Sequence, residues 1–191
     1  MDGDDQLRKN LIAILVLIGL VVYGGYDYFK KSPSETIQIT KSENKQLRTG
    51  ILKGQLAPDF ALTDLKGTTV QLSDFKGKIV LINFWATWCP PCQVEMPHMQ
   101  NIFQDFKAKD VVILGVNMTL TEENLEVVQT FVNEQQLTFP IVTDEKNEVV
   151  QTYQVVAYPT TYLLDTEGVI LEKFQGAISY EIMEKYISRI H

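Results

Sequence analysis

Cysteine is nearly absent from this sequence: of its 191 residues, only Cys89 and Cys92 are cysteine. Two cysteines are too few for the disulfide-rich framework of a small secreted protein. They also exclude a structural zinc site with four cysteine ligands, because such a site needs a second pair. A single pair separated by two residues therefore favours thiol–disulfide chemistry over a structural role.

Basic residues are also in short supply. The sequence contains 17 lysine and arginine residues against 24 aspartate and glutamate residues, and its formal net charge is −7. An acidic chain is not expected to bind nucleic acid or an anionic membrane surface. The length and the hydrophobic content of 45% are sufficient to bury one core, so a single globular domain is expected.

The N-terminal part contains the one long apolar run of the sequence. Leu11–Phe29 is close to the roughly 20 residues that an α-helix needs to span a bilayer core. Arg8 and Lys9 precede the run, and Lys30 and Lys31 follow it. The pattern predicts an uncleaved, single-pass transmembrane anchor. A cleaved secretory signal is the alternative.

The anchor divides the chain into four predicted parts. Residues 1–10 form a short cytoplasmic arm, 11–29 the transmembrane anchor, 30–53 a polar tether and 54–191 the globular domain. Basic residues are balanced on the two sides of the anchor, so its orientation depends on the shortness of the arm. We expect the globular domain on the extracytoplasmic side of a bacterial cell membrane.

The globular part alternates between strand and helix patterns. Apolar or alternating runs predict strands near 60–62, 69–72, 79–84, 111–116, 139–142, 160–164 and 169–174. Helical patterns lie near 91–107, 121–136, 145–153 and 179–190. Alternation that ends with a hairpin and a helix predicts an α/β fold with a mixed central sheet.

The two cysteines follow a buried strand and begin the first of these helices. The sulfur of Cys89, at the helix N-terminus, faces unpaired N–H groups and the positive end of the helix dipole, which favour the thiolate. A thiolate attacks a disulfide, and a second thiol such as Cys92 then resolves the mixed disulfide. Pro90 and Pro91 fit the first helical turn, where a missing N–H does no harm.

Several motifs occur together and in order. The run 83–92 (NFWATWCPPC) ends a predicted strand, and Tyr158-Pro159-Thr160-Thr161 follows about seventy residues later. This combination resembles the thioredoxin superfamily. Further motifs at 54–62 and 72–78, with Glu95 and Pro97, resemble the membrane-anchored TlpA/ResA-type thiol–disulfide oxidoreductases. The resemblance covers about 54–190 and implies a thioredoxin-like fold with an N-terminal β-hairpin and a helix–strand insertion at about 121–143.

The resemblance implies a catalytic role for three residues. Cys89 is the nucleophile and Cys92 the resolving thiol of a redox-active disulfide. Asn83 stands where ordinary thioredoxins have a buried aspartate, and the TlpA/ResA-type proteins have a glutamate where this chain has Glu95. Cys92 and Glu95 are three residues apart on one helical face, so this carboxylate could raise the thiol pKa and transfer protons. The alternative is an acidic residue that merely complements the helix dipole.

The resemblance also implies a substrate-binding surface. Tyr158–Pro159 is expected to be a cis peptide bond beside the disulfide, where the backbone before the proline pairs with an extended substrate segment. Trp88, next to the nucleophile, lines this surface, and Pro90 stiffens the active-site turn. Trp85, by contrast, is expected in the core.

The implied function is reduction of protein disulfides outside the cytoplasm. By resemblance, the substrate is a protein such as apocytochrome c with its haem-binding cysteines, or an envelope or spore-coat protein. Because the outside is oxidising, a membrane thiol–disulfide carrier must donate the electrons. The two cysteines perform the reaction themselves, so neither a cofactor nor a metal is expected.

Three other functions compete with this interpretation. Oxidation of newly exported proteins would use the same residues in the opposite direction. A copper(I) chaperone could bind through the two soft thiolates, but related copper proteins have a wider cysteine spacing and a distant histidine. A peroxiredoxin needs threonine three residues before its cysteine, whereas Thr87 is two residues before Cys89.

Overall fold

The computed structural model describes residues 14–15, 17–26 and 47–190. Contacts divide the chain into two compact units, Met1–Asn44 and Lys45–His191. In the first unit, residues 14–15 and 17–26 are helical and exposed. No helix among the described residues is both long enough and apolar enough to cross a membrane. The predicted arm at 1–10, the two ends of the predicted anchor and residues 30–46 of the predicted tether lie outside the described residues.

The second unit contains a seven-stranded mixed sheet within residues 47–190. The strands are β1 (Ala61–Asp64), β2 (Thr69–Gln71), β3 (Ile79–Trp85), β4 (Val111–Asn117), β5 (Ile141–Thr143), β6 (Thr160–Leu164) and β7 (Ile170–Gln175). Their order in the sheet is β2-β1-β5-β4-β3-β6-β7. The β3–β4 and β4–β5 pairs are parallel, and the other four pairs are antiparallel. The predicted α/β fold with a mixed central sheet and an N-terminal hairpin is confirmed.

Helices cover both faces of this sheet. They are α1 (Pro90–Phe106), α2 (Leu125–Glu134), α3 (Glu148–Thr152) and α4 (Tyr180–Ile187). Buried side chains of α1, α2 and α4 form one apolar cluster, and those of α3 belong to a second. In β3, Leu81 belongs to the first cluster and Ile82 to the second. Burial on both faces explains why β3 is a continuous apolar run in the sequence.

The predicted start of α2 at Thr121 is wrong. Thr119–Thr121 form a 3₁₀ turn, and the α-helix begins at Leu125 after the N-cap residue Asn124. The Asn124 side chain accepts a hydrogen bond from the N–H of Val127 at 3.0 Å. Asparagine is among the best N-cap residues, so the helix begins at this cap instead of the earlier threonine.

Asp144 caps α3 from outside the helix. Its buried carboxylate accepts hydrogen bonds from the N–H groups of Glu148, Val149 and Val150 at 2.8–3.0 Å. We expect Asp144→Ala to lower the free energy of unfolding by about 2 kcal/mol, because it leaves helix N–H groups without an acceptor. Urea unfolding would measure this, with the exposed neighbour substitution Glu145→Ala as control. Equal stability of the two variants would contradict the capping role.

Candidate active site

Cys89 and Cys92 lie where β3 passes into α1, at the carboxyl end of a central parallel strand. They form a disulfide, as predicted. Cys89 is the N-cap residue of α1 and retains 3% exposure, whereas Cys92 is completely buried. Cys89 is therefore the more exposed of the two residues, and its role as nucleophile stays a prediction.

The two prolines change the environment of the Cys89 sulfur. Cys89 Sγ accepts a hydrogen bond from the N–H of Cys92 at 3.3 Å. Pro90 and Pro91 occupy the first two helical positions, as predicted, and proline has no N–H to donate. The first turn of α1 therefore offers fewer donors to a Cys89 thiolate than a helix start without proline would.

Glu95 lies one turn after Cys92 on α1, and its side chain is completely buried. Its Oε1 accepts a hydrogen bond from Asn83 Nδ2 at 2.5 Å, and its Oε2 accepts one from the Ile178 N–H at 3.0 Å. Burial raises the pKa of Glu95 from its ordinary 4.5 to about 7, although these two hydrogen bonds oppose the shift. A carboxyl group with this pKa can gain or lose a proton near neutral pH.

Asn83 connects Glu95 to the neighbouring strand β6. Its Nδ2 also donates to Thr161 Oγ1 at 3.0 Å, and Asn83 and Thr161 are paired in the β3–β6 ladder. Asn83 Oδ1 is buried and has no hydrogen-bond partner among the described residues. In the sequence, Thr161 stood out only as part of the motif that includes Pro159. Nothing in the sequence predicted the hydrogen bond between the Ile178 N–H and Glu95.

Aromatic and proline residues flank the two cysteines and the cis bond in sequence. The Tyr158–Pro159 bond is cis, as predicted. Trp88 is 51% exposed and packs edge-to-face on Tyr158, with ring centroids 6.1 Å apart. Pro90 is exposed and Pro159 is buried. The structure therefore brings together the exposed Trp88, which precedes Cys89, and the half-buried Tyr158, which precedes the cis proline.

Trp85 is separate from this surface. It is completely buried and packs against Phe131, with ring centroids 5.3 Å apart. The prediction of a core residue is confirmed. Among the described residues, no group of three or more histidine, cysteine, aspartate or glutamate side chains could hold a metal ion.

No feature of the sequence indicated that Glu122 would lie beside the active-site segment. Its carboxylate accepts hydrogen bonds from both the N–H and the hydroxyl of Thr87, two residues before Cys89. An acidic residue near a predicted helix start is ordinary in a sequence. Its contact with Thr87 depends on the pairing of β3 with β4.

The arrangement supports thiol–disulfide exchange. The two cysteines form a disulfide at the start of α1, and Cys89 retains slight exposure whereas Cys92 has none. A buried carboxyl group with a pKa near neutrality follows one helical turn later, and the exposed ring of Trp88 is available for contact with another polypeptide.

Comparisons with known proteins agree with this chemistry. The model of the AhpC/TSA family matches residues 53–173. Thiol-disulfide oxidoreductase ResA of Geobacillus kaustophilus is 42% identical over 190 residues, covering 100% of this chain and 99% of that protein. Thioredoxin-like protein YneN of Bacillus subtilis is 38% identical over 179 residues, covering 94% and 97%. A crystal structure described as a thiol:disulfide interchange protein DsbE from Chlorobium tepidum has a TM-score of 0.68 and 31% identity, covering 74% of this chain and 99% of that one.

Proposed function

Because this chain belongs to the AhpC/TSA family of thioredoxin-like proteins and is a thiol–disulfide oxidoreductase, we propose that it works as a reductase of protein disulfides outside the cytoplasm. The observation that supports the proposed direction is the buried carboxyl group of Glu95, one helical turn after Cys92 on α1. In the reaction, the Cys89 thiolate attacks a substrate disulfide and one substrate thiolate leaves. Cys92 then attacks Cys89, so that the second substrate thiolate leaves and the enzyme disulfide forms.

The direction of exchange depends on how strongly the enzyme stabilises its thiolate. Strong oxidants have a stabilised reduced form with a low thiol pKa. Here a carboxylate at Glu95 disfavours a nearby thiolate, and the prolines at 90 and 91 remove two N–H donors from the first turn of α1. Both features favour the disulfide form of the enzyme over its thiolate form, which is the property of a reductant.

The proposed location depends on the N-terminal sequence. The apolar run Leu11–Phe29, flanked by basic residues, would hold the chain in the cell membrane as a single-pass anchor. The redox domain would then lie on the extracytoplasmic side of a bacterial cell. In that oxidising compartment a reductase needs a membrane thiol–disulfide carrier as its electron donor.

The proposed substrate is an exported protein with an accessible disulfide, such as apocytochrome c. Its haem-attachment sequence, Cys-x-x-Cys-His, forms a small disulfide that must be reduced before haem is attached. Two exposed apolar side chains, Trp88 next to Cys89 and Val156 three residues before Pro159, are suited to contact an extended substrate segment.

A peptide assay tests the proposed direction. The reduced full-length protein in detergent would be mixed with an oxidised peptide that contains Cys-x-x-Cys-His. We expect the peptide to be reduced, and faster than a peptide of equal length with an unrelated disulfide. The proposal is wrong if the oxidised protein instead oxidises the peptide dithiol and the reduced protein leaves the disulfide intact.

Labelling of intact cells tests the location. After mild treatment with dithiothreitol, a membrane-impermeant maleimide should modify the Cys89 thiol of the full-length protein in intact cells. The matched control is the double variant Cys89→Ser/Cys92→Ser, which offers no thiol. Labelling that requires cell lysis would place the domain in the cytoplasm and contradict the proposal.

Trp88 should contribute to binding of protein substrates. We expect Trp88→Ala to lower kcat/KM for a protein disulfide about tenfold, because aromatic contacts at an interface are worth about 1–2 kcal/mol. With glutathione disulfide, which is too small to use the aromatic pair fully, the decrease should be at most about twofold. Trp88→Phe, which keeps an aromatic ring, serves as the control. An equal loss on both substrates would contradict a role in protein binding.

A further inference from the structure

The loop after β4 holds the chain segment between β3 and the disulfide. β3 and β4 are parallel neighbours with Trp85 paired to Asn117, so the segments that follow them emerge at the same edge of the sheet. The Met118 N–H donates to the Trp85 carbonyl at 3.0 Å, and Trp88 Nε1 donates to Thr121 Oγ1 at 3.2 Å. The active-site segment is therefore attached to this loop on both sides of Thr87.

Glu122 makes the central contact of this attachment. Its Oε1 accepts hydrogen bonds from the Thr87 N–H at 2.7 Å and from Asn117 Nδ2 at 2.8 Å. Its Oε2 accepts one from the Thr87 hydroxyl at 2.5 Å. The carboxylate therefore accepts hydrogen bonds from two donor groups of Thr87. The hydrogen bond from Asn117 fixes the orientation of the carboxylate. Thr87 is only 8% exposed, so solvent competes little for these donors.

A side chain of helix α1 also forms a hydrogen bond with Thr87. Gln93 Nε2 donates to the Thr87 carbonyl at 2.7 Å. The N–H, the hydroxyl and the carbonyl of Thr87 are all engaged in hydrogen bonds, two residues before Cys89. The backbone that leads to the nucleophile is therefore fixed between Glu122 and Gln93.

The hydrogen bonds of Glu122 are not needed to cap the N-terminus of α2. That helix begins after Asn124, whose side chain already accepts the hydrogen bond from the Val127 N–H. The carboxylate of Glu122 is instead directed to the active-site segment. A charged group committed to the residue beside a reactive pair indicates a role in the reaction as well as in folding.

We propose that Glu122 is a positioning residue for exchange at Cys89, acting through Thr87. This inference deepens the proposed function and rests on it. Exchange requires the attacking sulfur to be aligned with the disulfide it cleaves, and a misplacement of about 1 Å can cost on the order of 100-fold in rate. Fixing Thr87 from two sides limits such misplacement.

Two conservative substitutions distinguish the effect of side-chain length at position 122 from the effect of its charge. Glu122→Gln keeps the length of the side chain: its oxygen can accept from the Thr87 N–H, and its amide can donate to the reoriented Thr87 hydroxyl. Glu122→Asp keeps the charge but is one methylene shorter, so it cannot reach Thr87 and Asn117 together. We expect the rate to be within about twofold of wild type for E122Q and about tenfold lower for E122D.

The rate is measured on the reduced full-length protein in detergent with glutathione disulfide. The Cys89 thiolate attacks the disulfide and releases one glutathione thiolate, and Cys92 releases the second as the enzyme disulfide closes. Two electrons pass from the enzyme dithiol to glutathione. The measurement covers pH 6–9, at a temperature far below the unfolding midpoint of each variant. Positioning predicts a lower plateau for E122D with an unchanged midpoint of the pH–rate profile.

Substitutions of the exposed neighbour, Glu123→Gln and Glu123→Asp, are the matched controls and should react as wild type does. The proposal is overturned if E122D reacts within about twofold of wild type, or if E122Q is as slow as E122D. If E122D does not fold, Thr87→Val removes the hydroxyl contact alone. We then expect a rate about threefold lower, and an unchanged rate overturns the proposal.

The outcome for Glu122 can be distinguished from the outcome for the proposed function. Exchange with glutathione disulfide does not depend on whether the protein reduces or oxidises its substrate in the cell. Failure to reduce the Cys-x-x-Cys-His peptide would reject the proposed function and leave the effect of Glu122 on the glutathione reaction intact. Equal rates for the Glu122 variants and wild type would reject only the positioning role.

Discussion

Cys89→Ser is expected to abolish exchange, whereas Cys92→Ser should trap the substrate as a stable mixed disulfide. Cys89 is the N-cap of α1 and retains some exposure, and Cys92 is completely buried behind it. Attack therefore begins at Cys89, and release of the substrate needs the second thiol. Turnover of a protein disulfide should fall at least about 1,000-fold in both variants, because no other cysteine exists in the chain.

The two variants differ in the covalent product, and electrophoresis without reductant measures it. Cys92→Ser should give a band of enzyme plus substrate that disappears when dithiothreitol is added. Cys89→Ser should give none, and the double serine variant controls for non-covalent association. If Cys89→Ser formed the adduct and Cys92→Ser did not, the assignment of nucleophile and resolving thiol would be reversed.

Glu95→Gln should remove a large pH dependence of stability. The pKa of Glu95 is about 7 in the folded protein and about 4.5 when the chain is unfolded. Between these values the folded protein binds a proton that the unfolded chain does not. The stability from Glu95 is therefore complete below about pH 4.5 and is lost as pH rises to about 7. The linkage relation gives a loss of about 3 kcal/mol.

Urea unfolding from pH 4 to 8 measures this difference. The wild-type curve minus the Glu95→Gln curve should fall by about 3 kcal/mol between about pH 4.5 and pH 7, and should be flat above pH 7. The exposed residue Glu126 provides a matched control, because Glu126→Gln should follow the wild-type profile. Parallel profiles for wild type and Glu95→Gln would show that the carboxyl group does not titrate in this range.

The same substitution should slow the release of the substrate. To attack the mixed disulfide, Cys92 must lose its proton, and an ionised Glu95 one helical turn away can accept it. General-base catalysis of this kind is worth about 100-fold or more, so Glu95→Gln should accumulate the mixed disulfide at pH 8. Rapid acid quenching would measure the accumulation. Equal release rates for the two proteins would exclude proton transfer through Glu95.

The elements closest to the disulfide were predictable from local sequence. The run at 79–84 is apolar because β3 is buried on both faces, and a buried strand followed by Cys89 and Cys92 is a local pattern. The cis bond before Pro159 was predictable only from the resemblance, since the sequence of that proline alone favours an ordinary trans bond.

Contacts between distant parts of the chain were not predictable. Glu95 accepts a hydrogen bond from the backbone N–H of Ile178, which is 83 residues away. Because the donor is a backbone group, the identity of residue 178 does not indicate this contact. Glu122 meets Thr87 because β3 and β4 are paired in one register, and the sequence does not specify this register. Thr121 and Asn124 are both good N-cap residues, so the start of α2 could not be decided from residue preference.

The reduction potential of the Cys89–Cys92 pair distinguishes a reductase of protein disulfides from an oxidase. The full-length protein in detergent would be equilibrated with mixtures of reduced and oxidised glutathione or dithiothreitol, and its thiol content measured. Thioredoxin-type reductants lie near about −270 mV and a strong oxidant near about −120 mV. If the protein is a reductase, its potential should lie below about −220 mV. A potential near that of the strong oxidant would contradict the proposed direction and indicate an oxidase of exported proteins.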